Sequence, residues 1–250
     1  MVATLPSNIA NALSTANGAT SVAPALTSTA VGSLLVLFVA CVGTGTPTVT
    51  SVTGGGTWVQ AQHTAISTTQ FTDIWIQFNN PGGVTTITAN LGGTVQGVSA
   101  TAMEILGAGT SGTIEFAAGQ SNAASTAVPE QCTSRPLNSQ EINLFCIGYT
   151  APTTFLTLTT RAIDWNWNPA TGSLSDVVST GGTNNSELRT YVASNGPDIP
   201  FIRGTLGASS SWATAYVRLL IAATQGLNVT PAGGPIGIYT PQFNQGMIGG

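Results

Sequence analysis

Ser33-Leu34-Leu35-Val36-Leu37-Phe38-Val39-Ala40-Cys41-Val42 is the most apolar window of a 250-residue chain, and its reading decides the fold class. Its ten residues fall well short of the roughly 20 that a helix needs to cross a bilayer. The window is therefore read as a buried strand, and no membrane partner is expected. A second run, Tyr216-Val217-Arg218-Leu219-Leu220-Ile221-Ala222-Ala223, has the same character. The two runs are expected at sheet centres, with Arg218 paired to a carboxylate or placed at a strand end.

Outward from these runs the chain reads as strands and turns, rich in Thr, Val, Ile and aromatic residues and punctuated by Gly and Pro. Further strands are expected at Thr48 to Val52, Trp58 to Thr64, Ser99 to Leu106, Ile142 to Tyr149, Thr154 to Thr160, Glu187 to Ala193 and Trp212 to Ala223. Asp73 to Phe78 and Val84 to Ala89, joined by Asn79-Asn80-Pro81-Gly82-Gly83, read as a hairpin. Pro6-Ser7, followed by Ile9, Ala10 and Leu13, predicts one short helix ending near Asn17-Gly18. The fold class is all-β: an antiparallel β-sandwich or jelly roll with a short N-terminal helix or arm. The expected organisation is an N-terminal segment over 1–24, a β domain over 25–225 and an extended Gly/Pro-rich arm over 226–250.

Charge is scarce. The chain has five arginines (Arg135, Arg161, Arg189, Arg203 and Arg218), nine acids, no lysine and a single histidine, and charged residues make up 6% of it. Ordinary soluble proteins carry about a quarter. With a net charge of −4 and no basic cluster, the chain lacks the means to release counterions from a phosphate backbone, so no nucleic-acid partner is expected. Thr, Ser, Asn, Gln and Gly take the place of charge on the surface. That substitution predicts a protein packed against neighbours through neutral contacts. Arginine's planar donors suit interface pairs, which makes Arg135, Arg161, Arg189 and Arg203 candidate interface residues, together with Tyr239 and Phe243 in the arm.

Catalytic and metal motifs do not assemble from spacing. His63 sits in an alternating strand, and no G-x-S-x-G elbow accompanies it, so it reads as a solvent-facing or core-edge histidine. The acids Asp73, Glu104, Glu115, Glu130, Glu141, Asp164, Asp176, Glu187 and Asp198 are spread almost evenly and single out no catalytic pair. Asp164-Trp165-Asn166-Trp167-Asn168-Pro169 opens like a calcium loop but has Pro169 where glycine is needed and Ser175 in place of the closing glutamate. Cys41, Cys132 and Cys146 show no metal or redox spacing; Cys41 and Cys146 read as buried small hydrophobes. The glycine runs Gly54-Gly55-Gly56 and Gly181-Gly182 read as turns, not phosphate loops. No cofactor is expected. Trp165 and Trp167, at alternate positions, would share one face of a strand, where indole rings can stack on sugars.

Thr27 to Val36, then Val49 to Trp58, Trp75, Pro81 to Thr88, Ala102 to Gly107 and a closing Ser211-Trp212-Ala213 follow one another in an order that resembles a jelly-roll domain family of phage structural proteins and some bacterial surface proteins. The resemblance covers roughly residues 25 to 225, with an Asn/Gly-rich insertion around 164 to 186 and the C-terminal arm as departures. It implies a virion component, a capsid decoration or tail protein assembled in the host cytoplasm. Its partners would be other virion proteins and further copies of itself, and it would be no enzyme. The alternative is a carbohydrate-binding adhesin that recognises a host surface glycan through Trp165 and Trp167 or another aromatic patch.

Overall fold

A computed structural model describes residues 8–14, 18–66, 68–132, 141–150, 155–161, 186–194 and 201–221. These form strands β1 (Asn8–Ser14), β2 (Ser21–Val22), β3 (Leu34–Thr53), β4 (Val59–Ile66), β5 (Gln70–Gln77), β6 (Thr88–Ile105), β7 (Gly112–Cys132), β8 (Glu141–Thr150), β9 (Phe155–Arg161), β10 (Ser186–Ser194) and β11 (Phe201–Ile221). No described residue is helical, and every pair of neighbouring strands is antiparallel. The first sheet has the order β1-β6-β3-β5-β4, with β2 also on β6; the second has the order β10-β8-β11-β7, with β9 also on β11.

Side chains alternate across a strand, and β3 uses both sides. Leu34, Val36, Phe38 and Ala40 point inward with Ile74, Ile76, Met103 and Ile105, against Ile142, Leu144, Cys146, Ala215, Val217, Leu219 and Ile221 of the second sheet. Leu35, Leu37, Val39 and Cys41 point the other way, into a second cluster with Phe71, Val98, Ala100 and Ala102 and, from the loops, Leu26, Val84 and Ile87. Every residue from Leu34 to Cys41 is fully buried. A strand covered on both faces needs a continuous apolar run instead of an alternating one, and this explains why the window lacks period-two patterning. Tyr216 to Ile221 of the other apolar run lie in β11, which is flanked by β8 and β7 as β3 is by β6 and β5; Ala222 and Ala223 lie outside the described residues. Both runs therefore lie at sheet centres, as expected.

The space between the sheets changes character along its length. At the apolar end large side chains fill it. At the other end Gln70 Nε2 donates to the Gly148 carbonyl (3.1 Å) and Thr72 Oγ1 to the Ala213 carbonyl (3.1 Å), tying one sheet to the other. A Cβ built on Gly148 would lie 2.5 Å from the Ala40 Cβ and 2.6 Å from Thr72 Oγ1, so this close approach requires glycine.

Three expectations are corrected. The N-terminal helix does not form: Asn8–Ser14 is a strand along the edge of β6, in register from Asn8↔Glu104 to Ser14↔Val98. Seven residues barely repay helix nucleation, and Ala10 and Ala12 gain a place against the second cluster. The hairpin between Asp73 to Phe78 and Val84 to Ala89 does not form either. β5 lies between β3 and β4, and the Asn/Pro/Gly segment carries the chain away to β6. It is held by the loop before β3: buried Asn80 donates from Nδ2 to Thr29 Oγ1 (2.7 Å) and to the Ala30 carbonyl (2.9 Å). Gly82, at φ 82°, fits against Val31. Finally, Thr48 to Val52 is no separate strand but the far end of β3.

With both faces of β3 buried, Phe38→Ala and Leu37→Ala should each be costly, by about 3–5 and about 2–5 kcal/mol respectively, in urea unfolding. A loss below about 0.5 kcal/mol at Leu37 would mark a solvent-facing position instead. Gly148→Ala should cost about 1–3 kcal/mol by overpacking.

Candidate functional site

On the outer face of the first sheet, the apolar row Leu37, Val39 and Cys41 gives way toward the edge to Phe71, Asp73 and Trp75, and then to Gln60 and His63 on the edge strand. Register places Val39 opposite Asp73, and Asp73 opposite His63. Gln60 and His63 are three residues apart and would ordinarily face opposite ways. A register shift between Gln60 and Gln62 puts Gln60 opposite Trp75 and Gln62 opposite Ile74, leaving Ala61 as an extra residue. This bulge brings Gln60 and His63 to the same face, and Ala61 joins the inner core.

Both then converge on one carboxylate. Asp73 is 0% exposed; His63 Nδ1 lies 2.6 Å from its Oδ1, while Gln60 Nε2 (3.1 Å) and Trp75 Nε1 (3.3 Å) donate to its Oδ2. A buried carboxylate is costly unless it is hydrogen-bonded and paired, and three side-chain partners meet that need. The imidazole is 39% exposed, and its ring leans on Phe71 with centroids 5.7 Å apart. With Nδ1 committed to Asp73, Nε2 is the ring nitrogen left to face a ligand, and it has no partner among the described residues. The hydrogen bond to Asp73, reinforced by its charge and only partly opposed by burial, raises the His63 pKa above its ordinary 6.5.

Trp58 completes the patch. Its Nε1 donates to the Gly54 carbonyl (2.8 Å), and its ring packs, as Trp75 does, against the outer cluster. Gly54 and Gly55 take φ values of 103° and 86°, a left-handed turn that favours glycine, so this run makes a turn as expected.

This arrangement has the base and the orienting acid of a triad but not its nucleophile. Among the described residues no hydroxyl is bonded to His63 Nε2. The buried Cys41 thiol is pushed up to about 12, first by burial and then by the charge of Asp73, and Cys146 is raised for the same reasons. Both stay protonated and belong to the apolar clusters, as their sequence context predicted. The other acids with described contacts are engaged apart from this patch: Glu104 accepts from the Ala30 N–H (2.6 Å) and Asn8 Nδ2 (3.3 Å), and Glu115 lies 3.6 Å from Arg218. Arg218 is thus paired with a carboxylate, the first of its two expected settings. Among the described residues no group of three or more His, Cys, Asp or Glu could hold a metal ion.

The sequence brought neither Asp73 to His63 nor Gln60 to either. The signal was present in the run from Trp58 to Gln77: two strands closing on the short turn between Ile66 and Gln70 put His63 opposite Asp73. Arg161, Arg189 and Arg203 lie in β9, β10 and β11, at register positions opposite Phe201, Ile147 and Thr159. Arg135, Asp164, Trp165, Trp167, Tyr239, Phe243 and the 226–250 arm lie outside the described residues. Compared with protein-family models, curated proteins and solved structures, the chain matches none.

Because His63 binds its proton more tightly when folded than when unfolded, its contribution to stability is complete below pH 6.5 and is lost as pH rises through the raised folded value. Urea midpoints should therefore fall from pH 6 toward pH 9, and His63→Gln, which keeps a donor for Asp73 but cannot titrate, should flatten that part of the profile. An unchanged slope in the variant would place the titration elsewhere.

Proposed function

We propose that this chain is a structural virion protein, a phage capsid decoration or tail component that assembles with itself and with neighbouring virion proteins and performs no catalysis. The observation that carries the reading is the edge of the second sheet. β7 is 21 residues long and, among the described residues, hydrogen-bonds as a strand to β11 alone. From Thr113 to Ala124 only Ala117 and Ala118 are even partly buried, and Ile114 and Phe116 are exposed by 38% and 48%. Glu115 is the one charge in that stretch.

Sheet edges invite pairing with other chains, and free-standing proteins blunt them with lysine, proline or inward charge. Here Thr113 to Ala124 contains neither lysine nor proline, and what interrupts it is one bulge at Glu115, where the register with β11 shifts between Arg218 and Leu219. An edge of this kind suits a protein whose edges are covered in an assembly, and closed symmetric oligomers are the commonest such arrangement. The near-absence of charge across the whole chain supports the same reading, and so does the order of strand and turn features that resembles phage jelly-roll proteins. Fold alone does not carry function; the long, lightly charged edge of β7 and the scarcity of charge in the chain supply the physical argument.

Light scattering should find the purified chain oligomeric, with the oligomer retained in molar NaCl because neutral contacts are not screened. Phe116→Lys combined with Ala123→Lys should yield a folded monomer, recognised by an unchanged far-ultraviolet circular dichroism spectrum. A wild-type monomer at high concentration, or an oligomer indifferent to both lysines, would contradict the proposal.

A further inference from the structure

We infer that the outer face of β4 and β5 is a binding site for a neutral sugar, formed by Trp58, Gln60, His63 and Trp75 around the buried Asp73. Three features point there. First, both indole N–H groups are taken up within the protein, Trp58 by the Gly54 carbonyl and Trp75 by Asp73. The rings are thereby fixed in orientation while remaining partly exposed. What they offer a ligand is aromatic carbon, the surface on which the C–H face of a pyranose stacks.

Second, the polar groups beside the rings are directed but incompletely used. Gln60 donates one amide N–H to Asp73, and its other N–H and its carbonyl oxygen have no partner among the described residues. His63 gives Nδ1 to Asp73 and has Nε2 to offer. Asp73 therefore orients two neighbouring side chains that together present donors and acceptors, the complement that vicinal hydroxyls require. A side chain locked by a buried partner loses little freedom on binding, which is how a small site on a rigid strand gains affinity.

Third, charge selects against the alternatives. The groups at the centre of the patch are a buried carboxylate and the imidazole that is paired with it. Arg218, the arginine whose side chain is described, sits in the second sheet with Glu115. Among the described side chains no guanidinium lies beside Asp73 to receive a phosphate, a uronate or a sialic acid, whereas a neutral hexose or N-acetylhexosamine needs none. The bulge at Ala61 is what makes the site: without it Gln60 and His63 would lie on opposite faces of the edge strand.

The test is a titration of the full chain, followed by NMR of the tryptophan indole N–H and histidine ring signals, with the methyl glycosides of glucose, galactose and N-acetylglucosamine. At least one should shift the Trp58, Trp75 and His63 signals saturably, while N-acetylneuraminic acid and inorganic phosphate leave them in place. Gln60→Ala changes an exposed side chain and should leave the fold intact; it should weaken the interaction about 3- to 10-fold, the loss of one hydrogen bond. Trp75→Ala should weaken it further, with circular dichroism checking its fold. Absence of a saturable shift with all three glycosides, or a shift unaltered by Gln60→Ala, would overturn the proposal. The oligomer measurements are independent of this outcome, so the sugar site and the assembly role stand or fall separately.

Discussion

The double burial of Leu34 to Cys41 is the constraint on which the molecule is built. One strand supplies a wall to two apolar clusters, its even-numbered residues to the space between the sheets and its odd-numbered residues to the opposite face. Such a strand cannot alternate apolar with polar residues, and it must sit where neighbours can cover both sides. β6 and β5 flank it, and loop residues Leu26, Val84 and Ile87 help to close its outer side. The loop before β3 and the Asn79 to Gly83 segment are stitched together by Asn80, so they cover this face as one unit.

From that centre the outer face of the first sheet becomes polar in a graded way, and the candidate patch lies where the gradient ends. Val39 is fully buried, Asp73 beside it is equally buried but polar, and His63 beyond that is half in water. The carboxylate marks the border between core and solvent, which is why it can be satisfied by side chains on the edge strand. The two sheets end differently. β4 ends the first in a network of hydrogen-bonded side chains, while β7 ends the second with exposed Ile114 and Phe116 in a stretch with a single charge. One edge is suited to holding a small polar ligand and the other to meeting another chain.

The sandwich was legible because its two central strands are continuous apolar runs, a signal that needs no knowledge of their neighbours. Pairings were less legible, because local chemistry is indifferent to which strand lies alongside. Asn79-Asn80-Pro81-Gly82-Gly83 carries every sign of a hairpin turn, yet Asn80 bonds to a loop some fifty residues earlier and directs the chain to another part of the sheet. Ile9 and Leu13 fit a helix as well as a strand over so short a span, and the free edge of β6 decided between them. β7 was missed because Ala, Gly, Ser, Asn and Gln dominate it, residues with little strand propensity; its long pairing with β11 overrides that weakness. The site was the least legible part. It depends on one extra residue, Ala61, whose effect appears only once register is known.

Amide hydrogen exchange along β7 distinguishes an edge covered by another chain, as proposed, from one that stays in solvent. Exchange should be compared between the assembled protein and a monomer obtained by dilution or by lysine substitution at the edge. Amides between Thr113 and Ala124 that exchange freely in the monomer should become protected in the assembly, while β3 amides stay protected in both. Equal exchange of β7 in the two states would contradict the covered edge.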